Sequence, residues 1–309
     1  MQPAGRAVEL LRQSVVPTAL GGALNTKGAC HVLRGEQSEA LQCYREAREM
    51  GIRLRDYNLV QLGSLNAAGI AMELGRFAEF RKLLEDAADA VDRTRWAGGA
   101  MALAHGRAAV ALELGELERA RAGFQESLSL ARRIADPETI ANAHFSLSWL
   151  EALSGRPQES EQRALEGLKE LAASGLAGHK ADLHLMRAVA LAQRGEAAAA
   201  RRSLAAGRKL LAGAAGHTFG RRLLPYAEAW VAFEAADAGA AARLLRPLVA
   251  RETEAGLGIL RFDAALLLAQ CEARMGNRGE GMRLRDWARR EAEAAGLLRV
   301  SRDAARLSL

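Results

Sequence analysis

The chain has 309 residues, of which 43 are basic and 37 acidic, giving a formal net charge of +6. Alanine, leucine, arginine and glutamate dominate the composition and aromatic residues make up only 5%, which excludes a strand-rich fold and favours helices. No stretch is long and apolar enough to span a membrane, and the apolar segment 15–24 is interrupted by Pro17 and two glycines, so we expect a cytoplasmic protein.

The first predicted element is an amphipathic helix from Met1 to Val16, in which Val8, Leu10 and Leu11 supply the apolar face. No turn and partner helix precede it. Two interpretations therefore stay open for residues 1–17: a capping helix that closes the first repeat, or half of an earlier repeat.

After this helix, glycine recurs at a period of about 40 residues. Five positions after each glycine stands a mostly small residue, and nine positions after it a mostly apolar one. Small residues let two helices cross closely, and the bulky residue one turn later fills the gap between repeats. The pattern predicts about seven helix-turn-helix repeats over 18–290, all within a single domain, 1–309. The glycine series is Gly35, Gly75, Gly115, Gly155, Gly195 and Gly276, with Ala236-Asp237 in place of one glycine.

The clearest repeat begins at Leu24–Gly28 and continues with Gly35, Ala40, Tyr44 and Ala47. Its spacing of Gly, Gly, Ala, aromatic and Ala resembles the tetratricopeptide repeat. The period exceeds the roughly 34 residues of the standard unit, as in the solenoids found C-terminally in bacterial maltose-activator-type ATP-binding regulators and in tetratricopeptide-bearing serine/threonine kinases. This resemblance implies an all-α, right-handed superhelical solenoid in which the first helix of each repeat lines a concave face.

Near the end of the chain, Pro247 lies inside the second helix of the sixth repeat and predicts that this helix is kinked or shortened. Residues 291–309 are predicted to form a capping helix, with Leu298, Ala304 and Leu307 on its apolar face. Arginines outnumber acidic residues in the last third of the chain. Because neighbouring glutamates can pair with them on solvated helices, we expect no nucleic-acid partner.

Motifs for chemistry are missing from the sequence. It contains no phosphate-loop, His-Glu-x-x-His, Gly-x-Ser-x-Gly or Cys-x-x-Cys motif. Cys30, Cys43 and Cys271 are odd in number and lack the spacing of a zinc site. We therefore predict a protein that is not an enzyme and has no cofactor, no metal and no disulfide.

Aromatic residues repeat at helical spacing on two of the predicted first helices. Phe145 and Trp149 are spaced i,i+4, and Tyr226, Trp230 and Phe233 are spaced i,i+4,i+7 at the same offset from their turns. Leaving such side chains in water would forgo roughly 1.5–3 kcal/mol each, so they are either packed in the core or held for a ligand. Both interpretations stay open.

The same row contains the polar residues Asn25, Asn66 and His105, which are suited to orienting a peptide backbone or sugar hydroxyls by hydrogen bonds. Together with the aromatic residues they form the predicted binding row of the concave face. The favoured function is a protein-interaction scaffold that binds a peptide or partner protein there, in bacterial signalling or regulation. The alternative is a module of a signalling ATPase or transcriptional regulator that senses a small-molecule effector.

Overall fold

A computed structural model describes residues 3–12, 17–214, 216–258 and 260–309, and every regular element in these ranges is an α-helix. The all-helical prediction is confirmed for this part of the chain. The helices are α1 (Pro3–Arg12), α2 (Pro17–Val32), α3 (Gln37–Leu54), α4 (Tyr57–Glu73), α5 (Phe77–Thr94), α6 (Ala97–Glu113), α7 (Leu117–Arg133), α8 (Pro137–Leu153), α9 (Pro157–Glu170), α10 (Ala177–Gln193), α11 (Ala197–Ala212), α12 (Thr218–Glu234), α13 (Ala238–Glu254), α14 (Leu260–Arg274), α15 (Arg278–Ala295) and α16 (Leu298–Arg306).

The helices pack pairwise in chain order, as a repeat solenoid requires. The even-numbered helices α2 to α14 are the first helices of the repeats, and the odd-numbered helices α3 to α15 are the second helices. A first helix such as α10 packs against the second helix on either side, α9 and α11, and also against the neighbouring first helices α8 and α12. The helix predicted from Met1 to Val16 is observed as α1, while residues 1–2 and 13–16 lie outside the described residues.

The internal contacts divide the chain into two compact units, Met1–Arg107 (unit 1) and Ala108–Leu309 (unit 2), with the division inside α6. One apolar cluster in unit 1 joins Val8 of α1 to Leu24 and Met50. The core of unit 2 is built from α10 and α12, with buried residues such as Leu185 and Leu223. Each unit therefore has its own apolar interior.

The predicted glycines stand where the backbone turns between the two helices of a repeat. Gly35, Gly75, Gly115, Gly155, Gly195 and Gly276 all have positive φ, a conformation that side chains disfavour. A second left-handed series, which the sequence did not reveal, marks the turn from one repeat to the next. It consists of Arg55, Arg95, Ala135, Gly256 and Gly296.

Ala236 replaces the turn glycine in the sixth repeat and adopts φ 61°. An alanine in the left-handed conformation costs roughly 1–2 kcal/mol, which a glycine would not cost. Glycine loses more chain entropy on folding, which offsets about 0.5–1 kcal/mol of that advantage. We therefore expect Ala236→Gly to raise the free energy of unfolding by about 0.5–1 kcal/mol in urea titrations. Ala235→Gly is the matched control, because Ala235 has φ −79° and should lose stability on substitution. A destabilised Ala236→Gly chain would contradict the strain at this turn.

The sequence predicted that Pro247 kinks or shortens its helix, and the prediction of a shortened helix is wrong. α13 has 17 residues, as many as α12, and includes Pro247 in its interior. Pro247 lies on the exposed side of α13, where water can hydrogen-bond the carbonyl that a proline leaves without its helical partner. α12 likewise contains Pro225.

Candidate functional site

The polar residues of the predicted binding row fall in unit 1. The Asn66 amide nitrogen donates a hydrogen bond to the Asn25 side-chain oxygen at 2.8 Å, so these two residues join the first helices α2 and α4. His105 lies on α6, and burial lowers the pKa of its imidazole to about 4. It is therefore neutral at neutral pH.

The five aromatic residues of the predicted row lie together in unit 2. Phe145 stacks on Trp149 along α8 with ring centroids 6.0 Å apart, and Trp149 meets Tyr226 of α12 at 5.5 Å. Along α12, Trp230 lies 6.4 Å from Tyr226 and 6.0 Å from Phe233. The spacing i,i+4,i+7 places these rings on one face of each helix, and the two faces meet.

A sixth ring, which the sequence analysis missed, extends this group. Phe219 meets Phe145 edge to face, with centroids 5.3 Å apart. It precedes Tyr226 by seven residues, a spacing that would have placed it on the same helix face. We call these residues the aromatic row; its members are Phe145, Trp149, Phe219, Tyr226, Trp230 and Phe233.

Burial differs along the aromatic row. Tyr226 and Phe233 are core residues, with 4% and 2% of their surface exposed, and burial raises the pKa of the Tyr226 hydroxyl well above its ordinary value. Phe145, Trp149 and Trp230 are only half-buried and pack on the edge of the same core. Tyr226 and Phe233 therefore belong to the packing of the core, while Phe145, Trp149 and Trp230 keep surface that a ligand can contact.

Near Tyr226 of the aromatic row lies a group of charges, here called the arginine cluster. Its members are Glu113, Asp263 and Arg299, which are buried, and Asp303, which is partly exposed. The two terminal nitrogens of Arg299 donate in parallel to the two carboxylate oxygens of Asp263, at 2.9 and 3.1 Å. Arg299 also donates to Glu113 at 3.3 Å and to Asp303 at 3.3 Å. One guanidinium thus faces three carboxyl groups from α6, α14 and α16.

The pKa values in the arginine cluster reflect burial in competition with pairing. Burial alone would lower the pKa of Arg299, but the carboxylates of Asp263 and Glu113 hold it above its ordinary value. Burial raises the pKa of Glu113 to about 7, and it also raises that of Asp303. Sequence reasoning did not find this cluster, because Glu113 and Arg299 are 186 residues apart in the chain.

A second polar group joins the starts of two first helices, α10 and α12. The His217 imidazole nitrogen Nε2 lies 2.6 Å from the Asp182 carboxylate, and the His179 ring lies 5.1 Å from that of His217.

Within the described part of the chain, no three histidine, cysteine, aspartate or glutamate side chains are arranged to hold a metal ion. None of the described helices is long and apolar enough to cross a membrane.

The fold defines a class of protein: an all-helical, tetratricopeptide-like repeat solenoid. A family model described as "Tetratricopeptide repeat" matches residues 99–169, which extend from α6 to α9 and so cover two helix pairs. No curated protein sequence matches the chain.

Several solved structures share this fold. Aspartyl phosphate phosphatase F from Bacillus subtilis superposes with a TM-score of 0.66 at 12% identity, over 98% of this chain and 76% of that one. A Rap protein complexed with competence and sporulation factor gives a TM-score of 0.64 at 12% identity, over 90% and 77% of the two chains. NprR in complex with its cognate peptide NprX gives 0.59 at 8% identity, over 92% and 81%. At these identities the likeness concerns the fold.

Proposed function

We propose that this protein is a non-catalytic scaffold in bacterial signalling or regulation that binds a peptide or a partner protein along its first helices. The observation that carries the proposal is the aromatic row of unit 2, whose half-buried members Phe145, Trp149 and Trp230 lie side by side on two first helices. Aromatic side chains with exposed edges supply much of the binding energy in protein interfaces.

The comparisons support a peptide as the ligand. Two of the similar structures are complexes, one with competence and sporulation factor and one with the cognate peptide NprX. Extended peptides suit a solenoid because binding spreads over several repeats, each of which contributes a few contacts. In unit 1, Asn25 and Asn66 satisfy one another by a hydrogen bond, which makes them weaker candidates for the contact surface than the rings of unit 2.

A small-molecule effector is the second candidate. The stacked pair Phe145 and Trp149, closed by Phe219 from α12, is a surface on which a flat ligand can stack. This candidate differs from the scaffold in the size of the ligand, so a metabolite that raises the melting temperature in a thermal-shift screen would favour it.

Trp149→Leu is expected to weaken binding of the partner by about tenfold or more, because it removes a central aromatic anchor. The partner is first captured from a lysate with the 309-residue chain as bait, at low and high salt, and identified by mass spectrometry. Its affinity is then measured by titration against the wild type and the variant, after circular dichroism has shown that both are equally helical.

The matched control is Trp96→Leu, which removes a tryptophan that is 47% exposed in unit 1, outside the aromatic row. The proposal predicts unchanged affinity for this variant. Equal binding by wild type and Trp149→Leu would argue against the aromatic row as the contact surface. If the bait retains only polyanions and releases them at high salt, binding occurs instead through the arginines.

A further inference from the structure

The end of α6 and the start of α16 touch, although 186 residues separate Glu113 from Arg299. Arg299 donates to both carboxylate oxygens of Glu113, at 3.3 and 3.4 Å, and Arg302 donates to the backbone carbonyl of Leu114 at 3.1 Å. The body of α16 packs on α14 and α15. Two arginines therefore connect the two ends of unit 2, and we call this contact the clasp.

The interactions of Arg299 differ in strength. Its two parallel hydrogen bonds to Asp263 are shorter than those to Glu113, and such bidentate pairs are the strongest of their kind. Asp303, four residues further along α16, also accepts from Arg299. If Glu113 moves away, Arg299 keeps Asp263 and Asp303 as counter-charges. The clasp can therefore open without leaving a buried arginine unpaired.

The clasp lies next to the aromatic row. Asp263 lies on α14, and its charge helps to raise the pKa of the Tyr226 hydroxyl of α12. The helices that carry these residues, α12 and α14, pack on one another. α14 packs on both α16 and α12, so a movement of α16 away from α6 would reach the aromatic row through α14.

We propose that the clasp holds unit 2 closed, and that its release opens the aromatic row to a ligand. The first part stands on the contacts of Glu113, Leu114, Arg299 and Arg302 alone. The second part rests on the function proposed above. The clasp is thus an internal contact that ligand binding must break.

Protonation links the clasp to pH. The groups that face Glu113 are Arg299 and Asp303 of α16 and Asp263 of α14, with Tyr226 of α12 beside Asp263. Burial raises the pKa of Glu113 from 4.5 to about 7. Between these two pH values, closing of the clasp is therefore accompanied by the uptake of a proton by Glu113. The contribution of this proton to the closed form is fully present below about pH 4.5 and is lost as the pH rises through 7.

The clasp is tested by measuring the distance between α7 and α16 with a pair of spin labels. Labels are attached at Arg119→Cys and Ala305→Cys, both exposed sites in unit 2, in a chain whose partly exposed Cys30 is replaced by serine. In the otherwise wild-type chain we expect the short distance to dominate at pH 6 and a longer distance to gain population by pH 8. Glu113→Ala combined with Arg302→Ala should add a longer distance, because both sides of the clasp are removed.

Two variants serve as controls. Glu113→Gln keeps a hydrogen-bonding side chain without a titratable group, so it should retain the short distance and remove its dependence on pH between 6 and 8. Glu272→Ala deletes another buried glutamate from a first helix, which pairs with Arg246 of α13, and should leave the distance unchanged. If the double variant keeps the wild-type distance at every pH, the clasp does not hold unit 2 closed.

Access to the aromatic row is measured separately by acrylamide quenching of tryptophan fluorescence. Replacing Trp96 and Trp287 by phenylalanine leaves Trp149 and Trp230 as the only fluorophores of this type among the four tryptophans. Quenching should increase in the double variant and not in Glu272→Ala. A longer label distance with unchanged quenching would overturn the second part of the proposal and keep the first. Neither result depends on whether a peptide partner exists.

Discussion

Replacing Arg299 by glutamine should lower the free energy of unfolding of unit 2 by about 3–5 kcal/mol, the usual loss when one partner of a buried ion pair is removed. Arg299 is 4% exposed and is the cation that Glu113, Asp263 and Asp303 share. Glutamine leaves these carboxyl groups close together and without that counter-charge. The measurement is urea unfolding of the full chain, followed by tryptophan fluorescence after Trp96→Phe so that the signal comes from unit 2.

The control for this prediction is Arg283→Gln. Arg283 also pairs with an acidic residue, Glu280, but its side chain is mostly exposed, and such surface pairs contribute about 0–1 kcal/mol. A loss for Arg299→Gln no larger than that of Arg283→Gln would mean that the arginine cluster is hydrated and adds little to stability. The clasp would then lack the burial on which its pH dependence relies.

Phe233→Ala should destabilise unit 2 by about 3–5 kcal/mol, because it removes a large ring from a well-packed interior. The Phe233 ring packs against Trp230, and the Arg274 guanidinium carbon lies 3.5 Å from its centroid. Phe219→Ala is the matched comparison at the half-buried end of the aromatic row and should cost less. Both are measured by the same urea unfolding, and equal losses would show that the row is buried along its whole length.

This second prediction separates the two interpretations that the sequence left open for the aromatic residues. One outcome is that Phe233→Ala loses stability while Trp149→Leu keeps its stability but loses its partner. In that case the buried rings of the row are core and its half-buried rings are binding surface. If both variants lose stability and retain binding, the row is core and the partner binds elsewhere.

The repeat architecture was predictable because glycine marks a conformation that other residues disfavour. Each turn glycine of the 40-residue series, from Gly35 to Gly276, adopts positive φ. The need for this backbone conformation could therefore be recognised in the sequence from the glycines. The second left-handed series was hidden, since Arg55, Arg95 and Ala135 adopt the same conformation without a marker in the sequence. Of the kink or shortening predicted from Pro247, the shortening does not occur, since Pro247 lies on the exposed face of α13.

The aromatic row could be predicted in part. The spacing within α8 and within α12 showed that the rings share a helix face, and the structure brings those two faces together. The arginine cluster could not be predicted, since nothing in the local pattern around Arg299 distinguishes it from the exposed arginines nearby. Its partners Glu113 and Asp263 become neighbours only when the intervening repeats are stacked.

The clasp makes the number of repeats in unit 2 a fixed quantity. A solenoid ordinarily tolerates the gain or loss of a whole repeat, because each repeat contacts mainly its neighbours. Here Glu113 and Arg299 meet across 186 residues, so inserting or deleting one helix pair between them would carry α16 past the end of α6. The contact therefore forms only at one number of intervening repeats, and homologues that keep these two residues should keep the same repeat count between them.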